Sequence, residues 1–196
     1  MQVYLLTSVI AFLAANIPVG LIIGKLVKGI DIRQVGSGNI GTANVFRALG
    51  FFWATVVLLL DMGKGILGSY LGSLWPQHQA LGIVFCGIMA ILGHNYSLFL
   101  KFKGGKGIAT SLGVLVFLDW RIALIGFVIW AILTKLTKIS ALGSLLAAML
   151  VPVFMWLFHK PVEYLVFGIL ACLLAIVRHK ENIRRLLKKE ENTLSR

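Results

Sequence analysis

Apolar residues in this chain come in long unbroken runs, without the regular alternation of strands, and polar residues gather in short segments between them. The runs cover 4–24, 51–75, 79–93, 108–118, 122–134, 139–158 and 162–177. A backbone facing lipid must satisfy its own hydrogen bonds, and no closed series of alternating strands is present, so the runs are expected to be helices. The stretch 108–134 reads either as one long span or as two short ones turning at Asp119, Trp120 and Arg121, because a span takes about 20 residues.

Composition fixes the solvent. With 59% hydrophobic residues and a mean hydropathy of +0.92 over 196 residues, the chain carries more apolar surface than one soluble core can bury. The fold class expected is therefore an all-α polytopic membrane protein. Residues 1–196 read as a single domain, since the loops are short and contain no Pro/Ser linker. Residues 1–24 have the length of a signal peptide but lack a basic leader and a small-residue cleavage site, and Asn16 and Pro18 interrupt them. They are expected to be a retained first span. Cys86 and Cys172 lie inside apolar runs, away from any metal-type spacing, and read as packing residues.

Charge sets the topology. Seven crossings put sixteen of the 19 Lys and Arg on one side, Arg121 and Lys160 on the other, and Lys64 within a span. Six crossings split them eight against nine, with Lys64 and Arg121 inside the membrane. The positive-inside rule selects seven transmembrane helices, the N-terminus outside and the C-terminus cytoplasmic. The net charge of +12 then belongs to basic cytoplasmic loops beside anionic lipid, and nucleic acid is not expected as a partner. No metal or cofactor is expected.

Three polar segments fall on that cytoplasmic side. The first, GSGNIGTANVFR (36–47), places Gly36, Gly38 and Gly41 among Ser37, Asn39, Thr42 and Asn44 and closes on Arg47. Glycines let backbone amides converge, hydroxyl and amide side chains add donors, and arginine offers a bidentate cation to phosphate oxygens. A flexible loop capping the next helix accounts for the same residues. The second segment joins Lys101, Lys103 and Lys106 to Gly104, Gly105 and Gly107 just before a helix start. That arrangement directs cations and unpaired amides at an anion, without the spacing of a Walker A loop. Upstream, His94 reads as a base or as a hydrogen-bonding partner for substrate. The third segment sets Arg178 and His179 at the end of the last span with Asn182 one helical turn on. Residues 179–196 read as a basic amphipathic tail, with Ile183, Leu186 and Leu187 on one side and Arg184, Arg185, Lys188 and Lys189 around it.

Inside the second span, Asp61 and Lys64 stand three apart, as a buried ion pair or as a route of access to the site. Gly63, Gly65, Gly68, Ser69, Gly72 and Ser73 on the same run suggest close helix packing. A phosphate carrier would need polar residues along a path to the outer face, yet the outer turns 76–78, 119–121 and 159–163 are short. The one-sided chemistry points to an enzyme.

Taken together, GSGNIGTANVFR, GHNYSLFLKFKGGKGIAT (93–110) and RHKENIRRLLKKEE (178–191) resemble the bacterial acyl-phosphate:glycerol-3-phosphate acyltransferase family, the PlsY type, and DMGKG (61–65) is similar to its intramembrane signature. The resemblance covers effectively the whole chain. Thr42-Ala43 reverses the family's usual order, and Lys189 stands where glycine is usual. The resemblance implies acyl transfer from acyl phosphate to the sn-1 hydroxyl of glycerol 3-phosphate at a bacterial inner membrane, giving lysophosphatidic acid and inorganic phosphate. It implies neither acyl-CoA nor acyl carrier protein as direct donor. Residues carried over as catalytic are Ser37, Asn39, Arg47, His94 and Asn182. Those carried over as phosphate-binding are the three glycines, Thr42 and Asn44 of the first segment, residues Lys101 and 103–107 of the second, and Arg178 and His179. No cysteine or serine stands beside a local base, so direct transfer is expected, with a substrate phosphate taking the hydroxyl proton.

Overall fold

A computed structural model describes residues 1–194; Ser195 and the tail cation Arg196 lie outside the described residues. Among those described, every regular element is helical: α1 Gln2–Ala15, α2 Val19–Lys28, α3 Thr42–Leu49, α4 Phe51–Ser73, α5 Gln79–Asn95, α6 Ile108–Thr137, α7 Ser140–Leu157, α8 Val162–Arg178 and α9 Lys180–Leu187. Five stretches are long and apolar enough to cross a membrane: Gln2–Lys28, Phe51–Ser73, Gln79–Leu100, Ile108–Thr137 and Ser140–Leu157. The helix α8 makes a sixth when joined to α9 across a 63° bend. Large side chains such as Leu60, Leu124 and Leu173 point outward, as a bundle dissolved in lipid requires.

The first apolar run is not one straight helix. Pro18 has no N–H to give and the chain breaks at residues 16–18, leaving carbonyls that lipid cannot satisfy. Neighbouring side chains satisfy them: Ser97 Oγ donates to the Asn16 carbonyl at 2.6 Å and Lys64 Nζ to the Ile17 carbonyl at 2.6 Å. The Asn16 amide donates back to Phe12 O at 2.7 Å, and its oxygen accepts from Leu98 N. The break is therefore clamped by α4 and by the turn after α5.

The helix α6 is interrupted at Asp119, whose φ of −161° and ψ of 106° are extended. Its carboxylate caps the following turn through Arg121 N at 2.9 Å and pairs with Arg121 and with Lys160 from the α7–α8 turn. Both ends of α6 lie near the C-terminal segment. Lys106, just before it, donates to Asn182, and the Lys138 carbonyl, just after it, accepts from Leu194 N at 2.7 Å.

One buried core, including Ile91, Val114, Ile122, Met155 and Phe167, joins α5 to α8; a second, with Ile32, Val45 and Val57, packs α2 and α3 on α4. The small residues of α4 let backbones approach: a side chain at Gly72 would meet the Gly82 carbonyl, and one at Gly65 the Thr110 carbonyl. Gly63 is the exception, with nothing around it.

Candidate active site

The 36–47 loop is shaped by two left-handed glycines, Gly36 (φ 58°) and Gly38 (φ 69°), and by one buried amide. Asn44, 2% exposed, accepts from Ser37 N at 2.8 Å and donates to the carbonyls of Ile32, Val35 and Asn39 at 2.9, 3.1 and 2.8 Å. Its amide organises the loop from within. Asn39 Oδ1 accepts from Gly41 N at 2.8 Å, and Thr42 Oγ1, at the start of α3, is buried without a hydrogen-bond partner among the described residues. Arg47, one turn on, donates to the carbonyls of Asn192 and Thr193 at 3.0 and 2.9 Å. Burial lowers its pKa from the usual arginine value.

The GGKG loop folds onto the end of α5. Gly105 N donates to His94 O at 3.0 Å and Gly104 N to Asn95 O at 3.2 Å, and a Cβ on Gly105 would overlap the His94 imidazole. Arg178 holds the same loop from behind. Its guanidinium donates to the carbonyls of Gly104 and Gly105 at 2.9 to 3.1 Å and lies 5.0 Å over the Tyr96 ring. Gly107, left-handed at φ 79°, turns the chain into α6. Lys106 is thereby projected inward, while Lys101 and Lys103 are exposed on the outer side of the loop.

Lys106 meets Asn182 of α9, whose other amide atom donates to Glu191 Oε1 at 2.7 Å; Arg185 pairs with Glu191 Oε2 at 2.9 Å. Burial pushes the Lys106 pKa down to about 8, with Arg185, Arg47 and Arg178 adding to the fall and Glu191 opposing it. His179, 3% exposed, has its pKa lowered to about 4 by burial and by Lys106, and is neutral near pH 7. Its Nδ1 lies 2.8 Å from Ala175 O, a geometry in which Nδ1–H donates and Nε2 is left as acceptor.

These groups line one end of a single cavity of about 180 Å³. Ser37, Asn39, Gly41, Thr42, Asn44, Arg47, His94, Lys106, Gly107, His179 and Asn182 all reach it; Gly36, Gly38, Gly104, Gly105, Arg178 and the outer lysines do not. From that polar end the cavity descends between α6, α7 and α8 along Leu112, Leu115, Phe127, Ala148, Val151 and Phe167. Asp61 also lines the wall. It accepts from Lys64 Nζ at 2.7 Å and lies 3.6 Å from His94 Nδ1, beyond hydrogen-bond reach. Lys64 therefore joins an ion pair to the clamp on the α1–α2 break. Among the described residues no three His, Cys, Asp or Glu side chains gather as a metal site.

Glu191 was not among the residues expected here. It is the acid that follows a run of tail cations, and its carboxylate is 3% exposed. It arrives because Lys189 takes the left-handed conformation, φ 61°, and swings the chain back.

The chain matches the family model for glycerol-3-phosphate acyltransferase over residues 5–189. The chain belongs to the glycerol-3-phosphate acyltransferase family. The glycerol-3-phosphate acyltransferase of Synechococcus sp. (strain JA-2-3B'a(2-13)) is 42% identical, with 95% of this chain and 94% of that one covered. That of Carboxydothermus hydrogenoformans is 35% identical, covering 97% and 96%. A crystal structure of PlsY, an integral membrane glycerol 3-phosphate acyltransferase, in its glycerol 3-phosphate form superposes with a TM-score of 0.91 at 37% identity, covering 97% of this chain and 94% of that one. Its lysophosphatidic acid form gives 0.89 at 36%. This family member is thus an integral membrane acyltransferase of lipid biosynthesis.

Proposed function

We propose that this acyltransferase takes its acyl group from acyl phosphate and delivers it to the sn-1 hydroxyl of glycerol 3-phosphate, releasing lysophosphatidic acid and inorganic phosphate. The observation that carries this reading is the continuity of one cavity, cationic at one end and apolar at the other. A donor with a phosphate head and a hydrocarbon tail fits that polarity, and the solved relative was crystallised in glycerol 3-phosphate and lysophosphatidic acid forms.

Lys106 and Asn182 hold glycerol 3-phosphate, while Gly104 and Gly105, whose amides are bonded to Asn95 O and His94 O, shape the loop that carries Lys106; Ser37, Asn39, Thr42 and Arg47 hold the transferring acyl phosphate. The buried, unpartnered Thr42 hydroxyl supports its place there despite the altered Thr-Ala order. Arg178 acts through the loop it braces. His179, neutral and with Nε2 as acceptor, suits a substrate hydroxyl better than a phosphate oxygen.

In the reaction the hydroxyl oxygen attacks the acyl carbonyl carbon, the bond from that carbon to the phosphate oxygen breaks, and phosphate leaves with the hydroxyl proton. Cations and amides offset the charge that grows on the leaving group and on the carbonyl oxygen. A phosphate with a second pKa of about 6 is a competent acceptor. His94, packed beneath Gly105 with Nδ1 unbonded, lacks the oriented partner a general base would use.

Residues 1–196 act as one domain in a bacterial cytoplasmic membrane. The break at Asp119 supports seven crossings, since the ends of α6 both approach the tail. The site then faces the cytoplasm, with the N-terminus outside.

The purified chain in detergent, given acyl phosphate and glycerol 3-phosphate, should release phosphate and form lysophosphatidic acid, with acyl-CoA and acyl carrier protein inactive as donors. Turnover from acyl-CoA would refute the donor assignment. His94→Gln should retain turnover; its loss with intact substrate binding would make His94 the base.

A further inference from the structure

The cavity has an end. Measured along α8 from Ala175, whose carbonyl meets the His179 ring at the polar end, to Phe167 it descends eight residues, about 12 Å at 1.5 Å per residue. That places its floor near the middle of a hydrocarbon layer about 30 Å thick. Below lies closed core: Phe167 is 0% exposed, Ile122 0%, Met155 1% and Val151 5%. Even Gly168 is backed by Met155, whose sulfur stands 3.0 Å from where a Cβ would be. The walls at this depth carry small side chains, Ala147 and Ala148 on α7 and Ala171 on α8.

We propose that Phe167 and Val151 set the acyl-chain length this enzyme accepts, by closing the cavity beneath the chain's last carbon, while Ala148 and Ala171 set the width available to it. The proposal rests on the acyl phosphate reading above. A chain that fits contacts the apolar wall along its whole length; a longer one must buckle or push a buried ring, because core packing has no slack to give. A shorter one leaves apolar wall uncovered and binds less well. Selection is then by chain length and separate from phosphate recognition, since all four side chains are apolar and carry no group that could hold a phosphate.

The test is a chain-length profile of the full-length enzyme with decanoyl, dodecanoyl, tetradecanoyl, hexadecanoyl and octadecanoyl phosphate at fixed glycerol 3-phosphate. Phe167→Ala deepens the cavity and should raise the kcat/KM ratio of octadecanoyl to dodecanoyl phosphate about tenfold, the discrimination that one or two methylenes supply in an apolar pocket. Ala171→Leu fills the cavity and should lower the same ratio about tenfold, with the KM for glycerol 3-phosphate unchanged. If Phe167→Ala does not fold, Ala171→Leu and Ala148→Leu decide the matter alone. Profiles that coincide with that of an active wild type would mean the chain leaves sideways between helices into lipid, and would overturn the ruler only. A wild type idle with every acyl phosphate overturns the donor assignment, and the ruler with it.

Discussion

Lys106 donates a hydrogen bond from its ammonium to the amide oxygen of Asn182, 76 residues further along the chain. This contact joins the loop that begins α6 to the helix that follows the last apolar stretch. It places the best-buried cation of the site against a neutral partner, so the charge is held in position without being cancelled.

Lys106→Met should therefore lower kcat/KM for glycerol 3-phosphate by about 10²- to 10³-fold, within the range that loss of one partner of a buried, hydrogen-bonded charge pair costs. Asn182→Ala, which leaves the ammonium in place but unguided, should cost less. Steady-state kinetics with both substrates varied would separate the two.

Activity should fall on the alkaline side. With a pKa near 8, Lys106 loses its proton as pH rises through that value, and an uncharged amine no longer draws the phosphate. The KM for glycerol 3-phosphate should rise above pH 8, and Lys106→Arg, which stays charged, should move that limb upward even if its maximal rate is lower. A wild-type profile flat to pH 10 would contradict this, as about 8 is the value at issue.

Asp61→Asn should destabilise the protein by about 3 to 5 kcal/mol, because it leaves the Lys64 charge buried beside one carbonyl. The double variant Asp61→Asn with Lys64→Met should recover part of the loss, since no charge is then stranded. Thermal unfolding in detergent, with each single variant as reference, measures the coupling.

Lys189→Gly should stabilise the tail by about 1 kcal/mol, since a side chain is being held in the left-handed region. Lys189→Val should do the opposite and weaken glycerol 3-phosphate binding, because Glu191 and the Arg47 contacts lie just beyond the turn. Proteolysis of the tail and the KM for glycerol 3-phosphate should change together.

Much of the helical frame is legible in the apolar runs: the expected 51–75, 79–93, 139–158 and 162–177 lie within two residues of α4, α5, α7 and α8 at every end. The break at residues 16–18 is announced by Asn16 and Pro18, but its clamp is not. Ser97 and Lys64 come from elsewhere in the chain and are chosen by tertiary packing. The same applies to the site. Ser37, Arg47, Lys106 and Asn182 stand out because glycine, amide and cation cluster locally, whereas Glu191 depends on a backbone turn at a lysine, which residue type alone disfavours. Asn44 shows the converse: it carries the chemistry of a ligand, yet every polar atom of its side chain is used to fold the loop.

Since Asn182 and Glu191 belong to α9 and the strap after it, the pocket has no complete wall until both have been made and have folded back. A ribosome-bound fragment that has released α3 and the GGKG loop presents their cations only to headgroups and water. The wall is therefore completed only when α9 and the strap that carries Glu191 close onto the GGKG loop.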